Sequence, residues 1–356
     1  LQADARPQSD SPLINAGTRF ASGGLPSVDL AAAPRLVGTA PDIGAFESSA
    51  DNALYLDVTS TAASGPGTLA AAVQAANAFN GRQIVRFALS GACPRVITLA
   101  APLQVSDALE IRGQTQAGSV ANSLVGGFNG QPCVVLAAGA GVSDAIDFSS
   151  SEAEDALDLS QLAFAGFASD AVAIRSGRGH RLAGLRFGGS THGLALAPVG
   201  TALRITGGAG AAQIGGELAA ERNLFGQASI ALSLAGSGGN SVLGNAIGDA
   251  GFQPLPNQIG VSLLSPYNRV QDNLIAHSSL AGLLLSSESA HRNRVSGNQV
   301  IGGSGASSAG VQIMGAAHRN RIGPDNRIAH GDGDGIRVLS GSFNDLGGNL
   351  IYDNSG

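Results

Sequence analysis

Arg269, Arg294 and Arg321 recur at intervals of 25 and 27 residues, each directly after an asparagine. A guanidinium is a permanent planar cation whose donors match a carboxylate or phosphate in pairs. Arg292 and Arg319 stand just before the asparagines of the last two copies. His291 and His318 align with each other, and Tyr267 is placed in the same column. Like charges stacked at strand spacing repel. On a chain of net charge −6 such a row invites an anionic partner. An acidic polysaccharide or cell-surface glycan fits that description. The competing explanation is a solvated row balanced by nearby Asp and Glu. A second chemistry is offered by His330-Gly-Asp332-Gly-Asp334. Two carboxylates on a glycine-rich turn are oxygen ligands of the kind Ca²⁺ takes. The spacing is not that of an EF-hand, and one turn supplies few ligands. His277 occupies the position equivalent to His330, which favours a corner role for both.

The arginines owe their positions to a repeat. Five segments read Asn-x-aliphatic twice in succession: Asn240 and Asn245, Asn268 and Asn273, Asn293 and Asn298, Asn320 and Asn326, Asn344 and Asn349. The first members are 28, 25, 27 and 24 residues apart, a period that marks stacked repeats. Each unit then carries a second aliphatic run opened by glycine, at Gly260, Gly282, Gly310 and Gly335. No unit holds a helix-length amphipathic stretch. The pattern predicts an all-β chain, a right-handed parallel β-helix of about ten coils, one above another at ~4.8 Å. Asparagines at one turn of successive coils then form a ladder of side-chain amides. Alternation along the strand turns Arg269, Arg294 and Arg321 outward. The loop after the second asparagine varies in length, with extra residues at 249–257 and 302–308. Insertions collected at one corner of a solenoid often wall a groove.

Composition agrees. Aromatic residues are 4% and Trp is absent among 356 residues, while Gly numbers 52. A narrow solenoid core is filled by Val, Ile, Leu and Ala. All 20 basic residues are arginine, and the low net negative charge argues against nucleic acid. No apolar run approaches the length that spans a membrane. Cys93 and Cys133 match no zinc spacing; they pair in an oxidising compartment or stay as buried thiols.

Residues 1–50 are irregular and rich in Pro and Gly, 48–53 read as a linker, and 51–356 as a β-helix continuing beyond Gly356. A strand at 54–58 precedes Thr68, a good helix N-cap. Leu69, Ala72, Val73, Ala76 and Phe79 share one face, so a helix over 68–79 is expected to cap the N-terminal end. Gly81 suits its far end. Ser149 to Asp155 reads as a solvated acidic loop, and Asn223-Leu-Phe225 as a worn copy of the turn motif.

Several phrases resemble bacterial secreted parallel β-helix repeat proteins of the choice-of-anchor Q, pectate-lyase-like class. They are "SPLINAG" from Ser11, "DIGAFE" from Asp42, "SGPGTL" from Ser64 and "RGQTQAG" from Arg112. The first two close a helix in that class but open this chain, so the resemblance implies that residues 1–50 are the closing segment of an upstream β-helix unit. An Asp of the last is replaced here. The resemblance implies an extracellular or cell-surface protein and says little about activity. Enzymes of this fold use Asp-bound Ca²⁺ with a basic residue, or clustered Asp with Gly-His-Gly. Gly179-His180-Arg181 lacks the second glycine and the Asp partners. The expectation is a structural, adhesive or carbohydrate-binding solenoid, without catalysis in this stretch. The alternative is a lyase or glycosidase acting on acidic glycans, which needs two carboxylates within reach of an arginine.

Overall fold

The structure, a computed structural model, describes residues 7, 11–14, 16–18, 26–32, 35, 41–47, 55–79, 81–251 and 253–356. The expected linker at 48–53 and the strand start at Leu54 lie outside the described residues.

Short strands stack in parallel into two sheets of ten strands and one of nine. Each coil gives one strand to each sheet in turn. Arg269–Gln271, Leu274–Ala276 and Ala281–Ser286 make one coil. They pair in register with Arg294–Ser296, Gln299–Ile301 and Ala309–Met314 of the next. The first, second and third sheets below follow that order. The inward column runs Val242, Val270, Val295, Ile322 on the first sheet and Ile247, Ile275, Val300, Ile328 on the second, all buried. Glycine opens the third strand because the second sheet's branched side chains fill the space. A Cβ on Gly282 or Gly310 would come within 2.6 Å of a methyl carbon of Val300 or Ile328.

The asparagines bond coil to coil at two corners. Asn240, Asn268, Asn293, Asn320 and Asn344 pass amide hydrogens along one line at 2.8–3.0 Å. Asn245, Asn273, Asn298, Asn326 and Asn349 form the second at 2.8–3.0 Å. Asn223 extends the second line by donating to Asn245. In earlier coils the first line ends differently. Ala212 offers only its backbone N–H to Asn240, and His180 accepts the Leu157 N–H on Nδ1. There the core compensates with aromatic bulk: Phe164, Phe187 and Phe225 stack at 4.8 and 5.2 Å.

The cap helix covers Leu69–Ala76, with Thr68 accepting from the Ala71 N–H. It buries Leu69, Ala72, Val73 and Ala76. Unlike the expectation, it stops before Phe79, which is 53% exposed. Asn77 ends it by donating to the Gln104 carbonyl and accepting the Ser106 N–H, which ties the cap to the first coil.

Residues 113–133 leave the second coil as a long strap over the outside of the second sheet. Cys93 and Cys133 form a disulfide at its far end, Cα to Cα 5.1 Å. Phe128 packs with Leu224, Ala246, Ala250 and Leu255, which belong to later coils. Arg186 donates to the Gly130 carbonyl and Arg222 to that of Val125. The insertion at 249–257 packs against the strap, its Ala250 carbonyl accepting the Phe128 N–H. Its Leu255 is buried beneath the strap. The acidic excursion is the solvated loop expected, exposed at Ser149 and from Ser151 to Glu154, and it ends on a half-buried Asp155. Burial, opposed by a bond from Ser150, raises its carboxyl above the usual range. Near the N-terminus, Asp42 and Glu47 serve local bonding, with Glu47 accepting from the Asp42 N–H and pairing with Arg35.

Candidate functional site

The first sheet sets the arginine row. Arg269, Arg294 and Arg321 are direct cross-strand partners. All three are exposed, while Val270, Val295 and Ile322 beside them are buried. Arg321 lies 3.6 Å from Asp345. Among the described residues, no carboxylate stands within ion-pair distance of Arg269, Arg292, Arg294 or Arg319.

The corner ahead of this strand supplies the rest. His291 pairs with His318, and His318 with Ser342, as bridge partners. Tyr267 falls one position later than sequence alignment placed it. It shares its column with Arg292, Arg319 and Phe343, and these four take φ of +59°, +55°, +54° and +56°. The turn needs a left-handed residue before each ladder asparagine, and that residue shifts the column. Gly239 fills the place in an earlier coil. The side chains nonetheless converge. Tyr267 meets His291 edge-on at 5.6 Å, and the rings of His291 and His318 lie 5.1 Å apart. Arg292 donates to the Tyr267 hydroxyl at 2.6 Å. Arg319 lies over the ring of Phe343, 5.8 Å from its centre. Phe343 was not singled out by sequence, though its place before Asn344 matches that of Tyr267. Desolvation, then the charges of His318, Arg292 and Arg319, lower the His291 imidazole below its ordinary value.

Asp332 and Asp334 do not converge on one point. Asp332 accepts the Gly305 N–H, and Asp334 is paired with Arg337. Among the described residues no group of three or more His, Cys, Asp or Glu is placed to hold a metal ion. His277 and His330 both take left-handed corner positions, and each faces an aspartate, Asp249 and Asp353.

A second charged cluster, unforeseen from sequence, occupies the same sheet nearer the cap. Arg82 bridges Glu110 and Asp158, which are cross-strand partners. Arg112 also holds Glu110, and Arg181 pairs with Glu221. Burial alone would raise the Glu110 carboxyl. The bond from Arg112 and the charge of Arg82 outweigh it and hold the group below its usual range. The signal was present in the alternation of Leu109-Glu-Ile and Leu157-Asp-Leu, which registers the two acids.

A family model described as "Periplasmic copper-binding protein (NosD)" matches residues 217–356. Those residues include the arginine row. No curated protein matches the chain. Among solved structures, similarity is found to ORF18 of Geobacillus virus E2, with 9% identity and TM-score 0.42 over 85% of this chain. This chain covers 60% of that one. The A-module of the mannuronan C-5 epimerase AlgE6 of Azotobacter vinelandii gives 14% identity and TM-score 0.35, over 83% of this chain and 99% of that one. The PL6 family alginate lyase AlyGC gives 10% and 0.34, over 85% and 40%. The chain is a parallel β-helix protein. Its three parallel sheets establish this.

Proposed function

We propose that this solenoid is a non-catalytic binding module for acidic polysaccharide, working outside the cytoplasm. The observation that carries the reading is the exposed run Arg269, Arg292, Arg294, Arg319 and Arg321, which has one carboxylate partner, Asp345, among the described residues. Self-repulsion in such a run is relieved by a bound anion. The Cys93–Cys133 bond supports an oxidising compartment. Among the described residues no helix is long and apolar enough to cross a membrane.

Copper is a poor fit to these residues. Both cysteines are in the disulfide, and Met314, the one methionine, has its sulfur near the Gln312 amide. His291 and His318 sit among arginines that repel a cation.

A second reading, cleavage of the acidic glycan, draws on Arg82 between Glu110 and Asp158. Those charges neutralise one another, and Glu110 is held ionised rather than poised near neutrality as general acid catalysis prefers. Titration with pectate, alginate and neutral glycans, with and without Ca²⁺, separates the readings. Binding without unsaturated uronide, weakened by salt and by Arg294→Ala, is expected. Calcium-dependent formation of unsaturated product would replace the module with a lyase.

A further inference from the structure

We infer that the arginine surface takes a linear polyuronate lying along the solenoid axis, one sugar carboxylate to each coil. This rests on the anionic-glycan reading above and adds a direction, a register and a length to it.

The register comes from the repeat itself. Arg269, Arg294 and Arg321 are successive cross-strand partners, so their anchors recur at the strand spacing of ~4.8 Å. A ligand crossing the axis would meet one such arginine. A ligand following the axis meets all three. The two later coils each present a second guanidinium two residues earlier, Arg292 and Arg319, on the far side of a buried asparagine. These two coils thus offer two cations each to an incoming carboxylate.

An independent feature points to the same strip. Tyr267, Arg292, Arg319 and Phe343 hold left-handed backbone, φ between +54° and +59°. Such a conformation is unfavourable for bulky side chains. Gly239 meets the same corner without that strain. Large side chains kept in a strained column at the edge of an exposed cation row mark a surface built for contact. Tyr267, His291 and His318 lie ring to ring at 5.6 and 5.1 Å, close to the coil spacing. Their planes differ by 81° and 32°, so they form a stepped line of ring faces and edges along one side of the strip, against which sugars can rest. A polymer of neutral sugars would leave the guanidiniums unpaired. A flexible polyphosphate would leave the rings without a partner.

The test is calorimetric titration at low salt with linear oligogalacturonates of one to eight units. Each added unit up to three should tighten binding by about threefold to fivefold, as for exposed ion pairs worth up to ~1 kcal/mol. Beyond three, the gain should level off. Arg321→Ala and Arg269→Ala should each move the plateau to two units. Arg86→Ala, whose side chain is paired with Asp57 elsewhere on the sheet, should leave the series unchanged. Equal affinity for one and six units, with binding intact, would overturn the axial register and leave the glycan reading standing. Equal binding of a single-stranded oligodeoxynucleotide of matched charge would overturn the uronate assignment. No binding at any length would overturn both.

Discussion

The two halves of the first sheet use arginine oppositely, and the outward column that holds Arg269, Arg294 and Arg321 is filled near the cap by Glu110, Asp158 and Arg181. Near the cap, Arg82, Arg112 and Arg181 are each locked to a carboxylate. Farther along, Arg269, Arg294 and Arg321 are cross-strand partners, and of these three Arg321 alone has a carboxylate partner among the described residues. The corners differ too. The later coils are joined by uninterrupted asparagine ladders, whereas the earlier ones rely on His180, stacked Phe rings and an outer strap. A chain that pairs its arginines with carboxylates in one half and leaves most of an arginine row without one in the other has two separate uses for them. One is internal cohesion and the other is contact with something outside.

The largest expected effect breaks the later half. Asn298 accepts twice from Asn273 and donates to Asn326, Val270 and Ser296. Asn298→Ala leaves several of these buried groups unpaired, and urea unfolding should show a loss of about 3–5 kcal/mol. In the earlier half, burial lowers His180 to about 4, against bonds with the backbone of Gly177 and Ser176. Its folded value lies below the unfolded one. The unfolded chain therefore takes up a proton first as pH falls from about 6.5, and stability should decline by about 3 kcal/mol by pH 4. His180→Asn, which restores a ladder residue, should flatten that window. A wild-type profile already flat from pH 7 to 4 would rule the account out.

Arg82→Ala sharpens the contrast by leaving Glu110 and Asp158 face to face. A loss of about 1–3 kcal/mol is expected at neutral pH. Glu110 is depressed in the native protein, so its stabilisation is present above its ordinary value and fades as pH falls. The difference from wild type should accordingly shrink below pH 4.5, the ordinary Glu value. The smallest effect belongs to Arg294→Ala. It should change stability by no more than about 0.5 kcal/mol, in the stabilising direction at low salt, while it weakens anion binding.

Legibility in the sequence followed the same divide. A ladder works only if every coil supplies the same amide, so the later coils wrote their register into the chain, and the arginine row could be placed by alternation. Tyr267 was misplaced by one column because the left-handed residue before each asparagine leaves no fixed chemical signature. The strap was not legible at all. The contacts of Phe128 with Ala250 and Leu255 join loops more than a hundred residues apart, and neither loop repeats anything. Asn77 likewise ended the helix through partners in a coil that local propensity cannot see.

That strap changes what kind of object the solenoid is. A stack of coils touching only their neighbours behaves as a one-dimensional chain that can fray one link at a time. By clasping side chains from several coils at once, residues 113–133 weld the cap-side half into a single mechanical block. Pulled from its C-terminal end, the molecule should therefore unzip coil by coil until it reaches Leu255, and then resist.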